Sequence, residues 1–126
     1  MCIRDRACAD YYISHSPADG IPPWDFNAPV ENRTLLDTSS AAICAAGLLR
    51  LCRLEPDSLK GHFYWSSAVR ILTALCEKYL PKADPKWEGI LRGGVYHVHK
   101  GLGVDESVMW GEYFFCEALE LSLIHI

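Results

Sequence analysis

The chain has 126 residues, one domain's worth at most. Half of them are hydrophobic and 22% are charged, an ordinary globular balance that excludes a disordered or fibrous protein. The formal charge of −4 argues against a nucleic-acid partner, which calls for a basic stripe, and no apolar run approaches the ~20 residues that span a bilayer. MCIRDRACAD at the N-terminus has charges but no apolar stretch behind them, so no secretory leader is read there.

Residues 6–15 read as the end of a helix, with Ala7, Tyr11 and Tyr12 on its apolar side. SPADGIPPWDFNAPVENRT, beginning at Ser16, is a loop. Pro17, Pro22, Pro23 and Pro29 remove helix donors and hold the residues before them extended. A loop of that length inside a compact domain is anchored or functional. Trp24 and Phe26, on either side of Asp25, are the aromatics that anchor it; in the functional reading Trp24 or Asp25 borders a cleft. Thr38 or Ser39 caps a second helix at 39–53, with Asp37 just outside its positive end. AAICAAG makes that helix small-sided, and Ile43, Ala46, Gly47, Leu48 and Leu51 cover much of its circumference. It reads as an inner helix packed on more than one face.

LEPDSLK is a turn, and Asp57 or Ser58 caps a third helix at 58–79 with a stripe of Phe63, Val69, Leu72, Leu75, Cys76 and Tyr79. The chain from 80 to 106 is rich in helix breakers; VYHV alternates enough for a short extended piece, without a sheet. The last helix, 108–121, starts after Asp105 or Ser107 as cap and buries Trp110, Phe114, Phe115, Ala118 and Leu119. Short turns alternating with long loops suit helix pairs arranged in a ring, the long loops collecting on one rim. None of the six cysteines forms a CxxC pair. Cys44, Cys52, Cys76 and Cys116 sit in apolar helical patterns, as small buried hydrophobes of a reducing, cytoplasmic setting.

Polar chemistry concentrates just before the last helix, in GGVYHVHKGLG. His97 and His99 bracket Val98 and would point the same way on an extended segment. Two ligands with no third His or Cys nearby do not make a metal site, so neither metal nor cofactor is expected. Hydrogen bonding to hydroxyls or a carboxylate is the better role for the histidines. Lys100 adds a point charge for an anion, and Tyr96 a ring face with a hydroxyl. Carboxylates stand at Asp25, Asp37, Asp105 and Glu106 without the facing pair that glycoside chemistry uses. Asp37 and Asp105 lie beside helix starts, where capping is their role. There is no nucleophile elbow, phosphate loop or dinucleotide fingerprint.

The blocks PPWDFNAP, DTSSAAICAAGLLRL and YHVHKGLGVDESVMWGEYFFCEAL, in that order, resemble the C-terminal part of unsaturated glucuronyl hydrolases, glycoside hydrolase family 88. The resemblance implies an all-α fold, the last part of a six-hairpin (α/α)6 barrel over residues 7–121, whose N-terminal part is missing from this chain. Residues 1–6 and 122–126 fall outside it and read as non-native ends. It implies an enzyme that removes unsaturated uronic acid from the non-reducing end of lyase-generated oligosaccharides. Hydration of a vinyl ether group by an aspartate would do this, with the catalytic aspartates lying outside this chain. The implied partner is the unsaturated oligosaccharide, touched by the loop bearing Tyr96, His97, His99 and Lys100 and bordered by Trp24. In some members this region carries serines and a lysine that help recognise sulfated sugars; Val95 and Val98 stand in it here, which departs from that pattern and argues against a sulfated preference. Unsaturated rhamnogalacturonyl hydrolase and a non-catalytic helical interaction module are the alternatives.

Overall fold

The computed structural model describes residues 3–82 and 84–123. Four helices, α1 (Ile3–His15), α2 (Thr38–Leu54), α3 (Ser58–Lys78) and α4 (Met109–Leu123), surround a single core. The expected helix positions hold to within three residues. The stretch expected to lack a sheet instead forms a hairpin, β1 (Gly94–His97) with β2 (Leu102–Glu106), antiparallel and joined by a 3-10 turn over Val98–Lys100. Gly101 closes that turn in the left-handed region, φ 62°, which an L side chain rarely adopts. The register slips between Gly94 and Val95, and Asp105, at φ 58°, is the extra residue of the bulge. Such a hairpin is hard to read because β2, LGVDE, has two exposed ends and no sustained alternation.

α2 is the inner helix that its small side chains predict. Ala41, Ala42, Ala45, Ala46, Leu48 and Leu49 are all buried, and α3 and α4 both pack on it extensively. α3 returns antiparallel after a three-residue turn. Asp57, rather than Ser58, is the cap: it accepts from the backbone N–H groups of Leu59 (2.9 Å) and Lys60 (3.2 Å). α4 runs in the same direction as α2, with Ser39 beside Gly111 at one end and Arg53 reaching the Leu121 carbonyl at the other. A Cβ on Gly111 would sit 2.8 Å from Ser39 Cβ, so glycine sets the approach of the two helices there.

Several faces differ from the periodic reading. On α3 the buried row is Tyr64, Ala68, Ile71 and Leu75, while Phe63 is half exposed. On α1, Ala9, Tyr12 and Ile13 meet the core and Ala7 and Tyr11 face outward. Ile43 and Trp110 keep substantial exposure, and Cys116 is exposed rather than buried. The reason is common to all of these: two adjacent rows of a helix can satisfy the same 3.6 period, and the neighbours decide which row turns inward. Cys44 is largely covered, and burial pushes its thiol up to about 12. Residues 1–2 and 124–126 of the two end segments lie outside the described residues; Ile3 to Arg6 continue α1, with Arg6 Nε 3.1 Å from Glu55 Oε2.

The long loop after α1 is tied down at both ends. Asp19 bonds Lys78 Nζ (2.7 Å) and accepts from the Ile21 N–H (3.2 Å). Burial raises the Asp19 carboxyl, but these two hydrogen bonds outweigh it and hold its pKa below the ordinary 3.8. The ionised form is therefore favoured on folding. Its contribution is complete above pH 3.8 and is lost as pH falls below that value. Asp19→Asn is expected to flatten the acid limb of a stability–pH curve there while leaving its slope at neutral pH unchanged; chemical unfolding at stepped pH reads this directly. Gly111→Ala is expected to cost about 1–3 kcal/mol by overpacking against Ser39; an unchanged urea midpoint would mean that α2 and α4 separate freely.

Candidate functional site

The N-terminal ends of α2 and α4, the C-terminal end of α3 and the hairpin meet at one end of the helix cluster. Asp37 sits at their centre and is buried. It is the residue that caps α2, in place of the expected Thr38 or Ser39. Its Oδ1 accepts from the Ser39 N–H (3.0 Å), the Ser39 hydroxyl (2.7 Å) and the Val95 N–H of β1 (3.1 Å). Its own N–H donates to the Pro22 carbonyl (3.0 Å), which fastens the first long loop to the same point. Thr38 completes the junction: its N–H donates to Gly93 O (3.0 Å) and its hydroxyl to Arg92 O (2.7 Å). Capping is thus right for Asp37 and wrong for Asp105, which occupies the β2 bulge.

Five residues singled out in the sequence lie around this junction. Trp24 is held by a hydrogen bond from its N–H to Leu35 O (2.9 Å), and its ring meets His99 edge-on with centroids 5.8 Å apart. His99 in turn lies 6.2 Å from His97, and His97 lies 6.3 Å from Tyr96. One continuous row therefore runs Trp24, His99, His97, Tyr96. β1 ends at His97 and the chain turns, so the extended segment that would point both histidines the same way is not formed, and their ring planes cross at 79°. His97 is half-buried, and its Nδ1 is out of solvent with no hydrogen-bond partner among the described residues. Tyr96 is 59% exposed. Lys100, at the end of the 3-10 turn, is exposed and makes no ion pair among the described residues.

The two loop aromatics have different jobs. Phe26 pins the loop, packing edge-on against Tyr11 and Tyr12 at 5.8 and 5.9 Å. Trp24 faces the histidines instead. Asp25 between them is exposed and accepts from the Asn27 N–H (2.8 Å), a local turn. Sequence reasoning misses Trp110, which its periodicity assigns to the core. Its indole N–H donates to Ser39 Oγ (3.2 Å), and its ring lies 5.5 Å from Tyr96 at 67°. The available signal is position: a tryptophan in the first turn of a helix, just after a polar loop.

No family model matches the chain. An unsaturated glucuronyl hydrolase of Bacillus sp. (strain GL1) is 35% identical over 115 residues, which are 90% of this chain and 30% of that protein. Its solved structure superposes with a TM-score of 0.82 at 34% identity. The chain is similar in sequence and in fold to the unsaturated glucuronyl hydrolases. A second solved unsaturated glucuronyl hydrolase, specific for heparin, gives a TM-score of 0.84 at 30% identity over 96% of this chain and 33% of that one. A third, a mutant from Streptococcus agalactiae complexed with dGlcA-GalNAc6S, gives 0.77 at 28% identity over 90% of this chain and 30% of that one. The chain spans about 30% of the length of the curated relatives it matches.

What holds this end of the helix cluster together is the Asp37 carboxylate. Replacing it by Ala removes a helix cap and leaves the Val95 N–H and the Ser39 hydroxyl without their acceptor. The expected loss is about 2–4 kcal/mol, a cap plus the buried Val95 N–H left unsatisfied, since the Ser39 hydroxyl can rotate to another acceptor. The Val95 amide should also exchange with deuterium far sooner than the α3 core amides. Retained protection at Val95 in Asp37→Ala would show that the hairpin is held by something else.

Proposed function

We propose that this chain is the C-terminal part of an unsaturated glucuronyl hydrolase, an incomplete (α/α) barrel that contributes one wall of the sugar site. The observation that carries the reading is agreement over 90% of the chain with proteins of that name, at up to 35% identity. It is supported by where the hairpin places its side chains. An unsaturated uronic acid presents a carboxylate, hydroxyls and a flattened ring. Tyr96, 59% exposed, offers a ring and a hydroxyl, His97 and His99 offer ring nitrogens, Trp24 closes the row, and Lys100, at the end of the 3-10 turn, supplies a cation with no ion pair among the described residues. The relative that holds dGlcA-GalNAc6S makes an unsaturated uronyl sugar the natural ligand class.

Catalysis falls to the rest of the enzyme in this reading. Three of the four candidate carboxylates already serve the fold, Asp25 in a turn, Asp37 in the cap and hairpin tie, and Asp105 in the bulge, and the fourth, Glu106, is exposed at the end of β2. The aspartate that adds a proton to the vinyl ether, and with it the water, is supplied by residues outside this chain. The wall binds and orients. It acts on ground and transition states alike, so its loss falls on KM.

Lys100→Ala in the full-length enzyme is therefore expected to raise KM for an unsaturated disaccharide roughly ten-fold or more. That is the loss of one hydrogen bond to a charged group. kcat should change less. Added salt should reproduce part of the loss in the parent and little in the variant. Depletion of the substrate's ultraviolet absorbance gives both constants; an unchanged KM at low salt would remove Lys100 from the sugar site.

A further inference from the structure

We infer that Trp110 is a positioning residue for Tyr96, fixing the angle at which that ring meets the sugar. The inference rests on the proposal that Tyr96 touches substrate, and deepens it. Tyr96 makes no side-chain hydrogen bond among the described residues, yet its place is defined from two sides. On the backbone side its neighbour Val95 donates to Asp37 Oδ1 (3.1 Å). On the ring side Trp110 packs against it, centroids 5.5 Å apart and planes crossed at 67°. That edge-to-face arrangement is the one aromatic quadrupoles favour.

Both sides end on one atom. The Trp110 indole N–H donates to Ser39 Oγ (3.2 Å), and the Ser39 hydroxyl donates to Asp37 Oδ1 (2.7 Å). The chain Asp37–Ser39–Trp110 therefore sets the rotation of the indole, and the indole sets the tilt of the Tyr96 ring. A residue needed only to fill space at this point could be leucine. Trp110 is 39% exposed, so core filling does not account for it. Gly103 on β2 completes the seat: a Cβ there would stand 3.0 Å from Tyr96 Cβ, so glycine lets the two strands approach at Tyr96. With Trp110 packed against its ring, Tyr96 remains 59% exposed. Trp110 touches no reacting atom in this scheme. It acts through Tyr96.

A double-mutant cycle in the full-length enzyme tests this, with KM and kcat for an unsaturated disaccharide and the thermal midpoint as readouts. Trp110→Leu should raise KM roughly two- to ten-fold, the worth of one aromatic pair, with kcat changed less. In the Tyr96→Ala background the same substitution should add nothing to KM. Trp110→Phe, which keeps an aromatic partner but loses the N–H, should fall between the parent and Trp110→Leu, and Ser39→Ala should match Trp110→Phe. The inference is overturned by a KM at the parental value in Trp110→Leu, or by an equal rise in both backgrounds. It is equally overturned by a lowered thermal midpoint with KM unmoved, the mark of a purely structural tryptophan. Should Tyr96→Ala itself leave KM unchanged in an enzyme that turns over, the placement of Tyr96 on the sugar is wrong and the inference goes with it. A rise in Tyr96→Ala with silent Trp110 variants sinks the inference alone.

Discussion

One buried carboxylate holds one end of this molecule together. Asp37 Oδ1 takes three hydrogen bonds, two from the first turn of α2 and one from the hairpin. A buried anion is costly unless its acceptor sites are filled, and here the filling groups come from parts of the chain 58 residues apart. The positive end of α2 adds to its favour. That economy explains why the hairpin, with only two strands and much exposed surface, stays put. An isolated two-stranded hairpin is marginal in water. This one borrows its stability from a helix cap.

The rest of the packing makes that junction possible. Alanines on α2 let α3 and α4 come close enough for Thr38 and Ser39 to reach the loop and α4 in the same turn. Larger side chains there would overpack the helix contacts. Gly111 sets the same limit from the α4 side. The loop from 80 to 92 is fastened separately. Glu112 accepts from the Ile90 N–H and the Ser107 hydroxyl, and Arg92 covers the Trp87 ring at 4.6 Å while bonding Asp84. Loop and helix ends are thereby tied by polar contacts, and the helix bodies by apolar ones.

Much of this is legible in the sequence. Pro17, Pro22, Pro23 and Pro29 dictate a loop whatever surrounds them, and AAICAAG announces a helix with close neighbours. The Asp57 cap is equally local. Faces chosen by neighbours are not legible: Phe63 and Tyr64 are adjacent and both apolar, and only the position of α2 decides that Tyr64 is buried. The hairpin escapes because its register depends on a bulge at Asp105 and on a tie to Asp37, neither of which has a local pattern. For the site, residue types point to Tyr96, His97, His99 and Lys100, and the structure adds that Trp24 lies against His99. The histidines' crossed planes and the place of Trp110 need three dimensions.

If Asp37 holds the hairpin so that it forms a wall of the sugar site, the sugar must be found there. The most direct measurement is a crystal structure of the full-length enzyme, with its catalytic aspartate replaced, soaked with an unsaturated disaccharide. The unsaturated ring, or the sugar joined to it, should lie in van der Waals contact with Tyr96, within about 4 Å. Lys100 should stand within reach of an anionic group and Val95 should still be bonded to Asp37. A sugar bound with no atom near the Trp24–His99–His97–Tyr96 row would contradict the assignment and leave the hairpin a structural element.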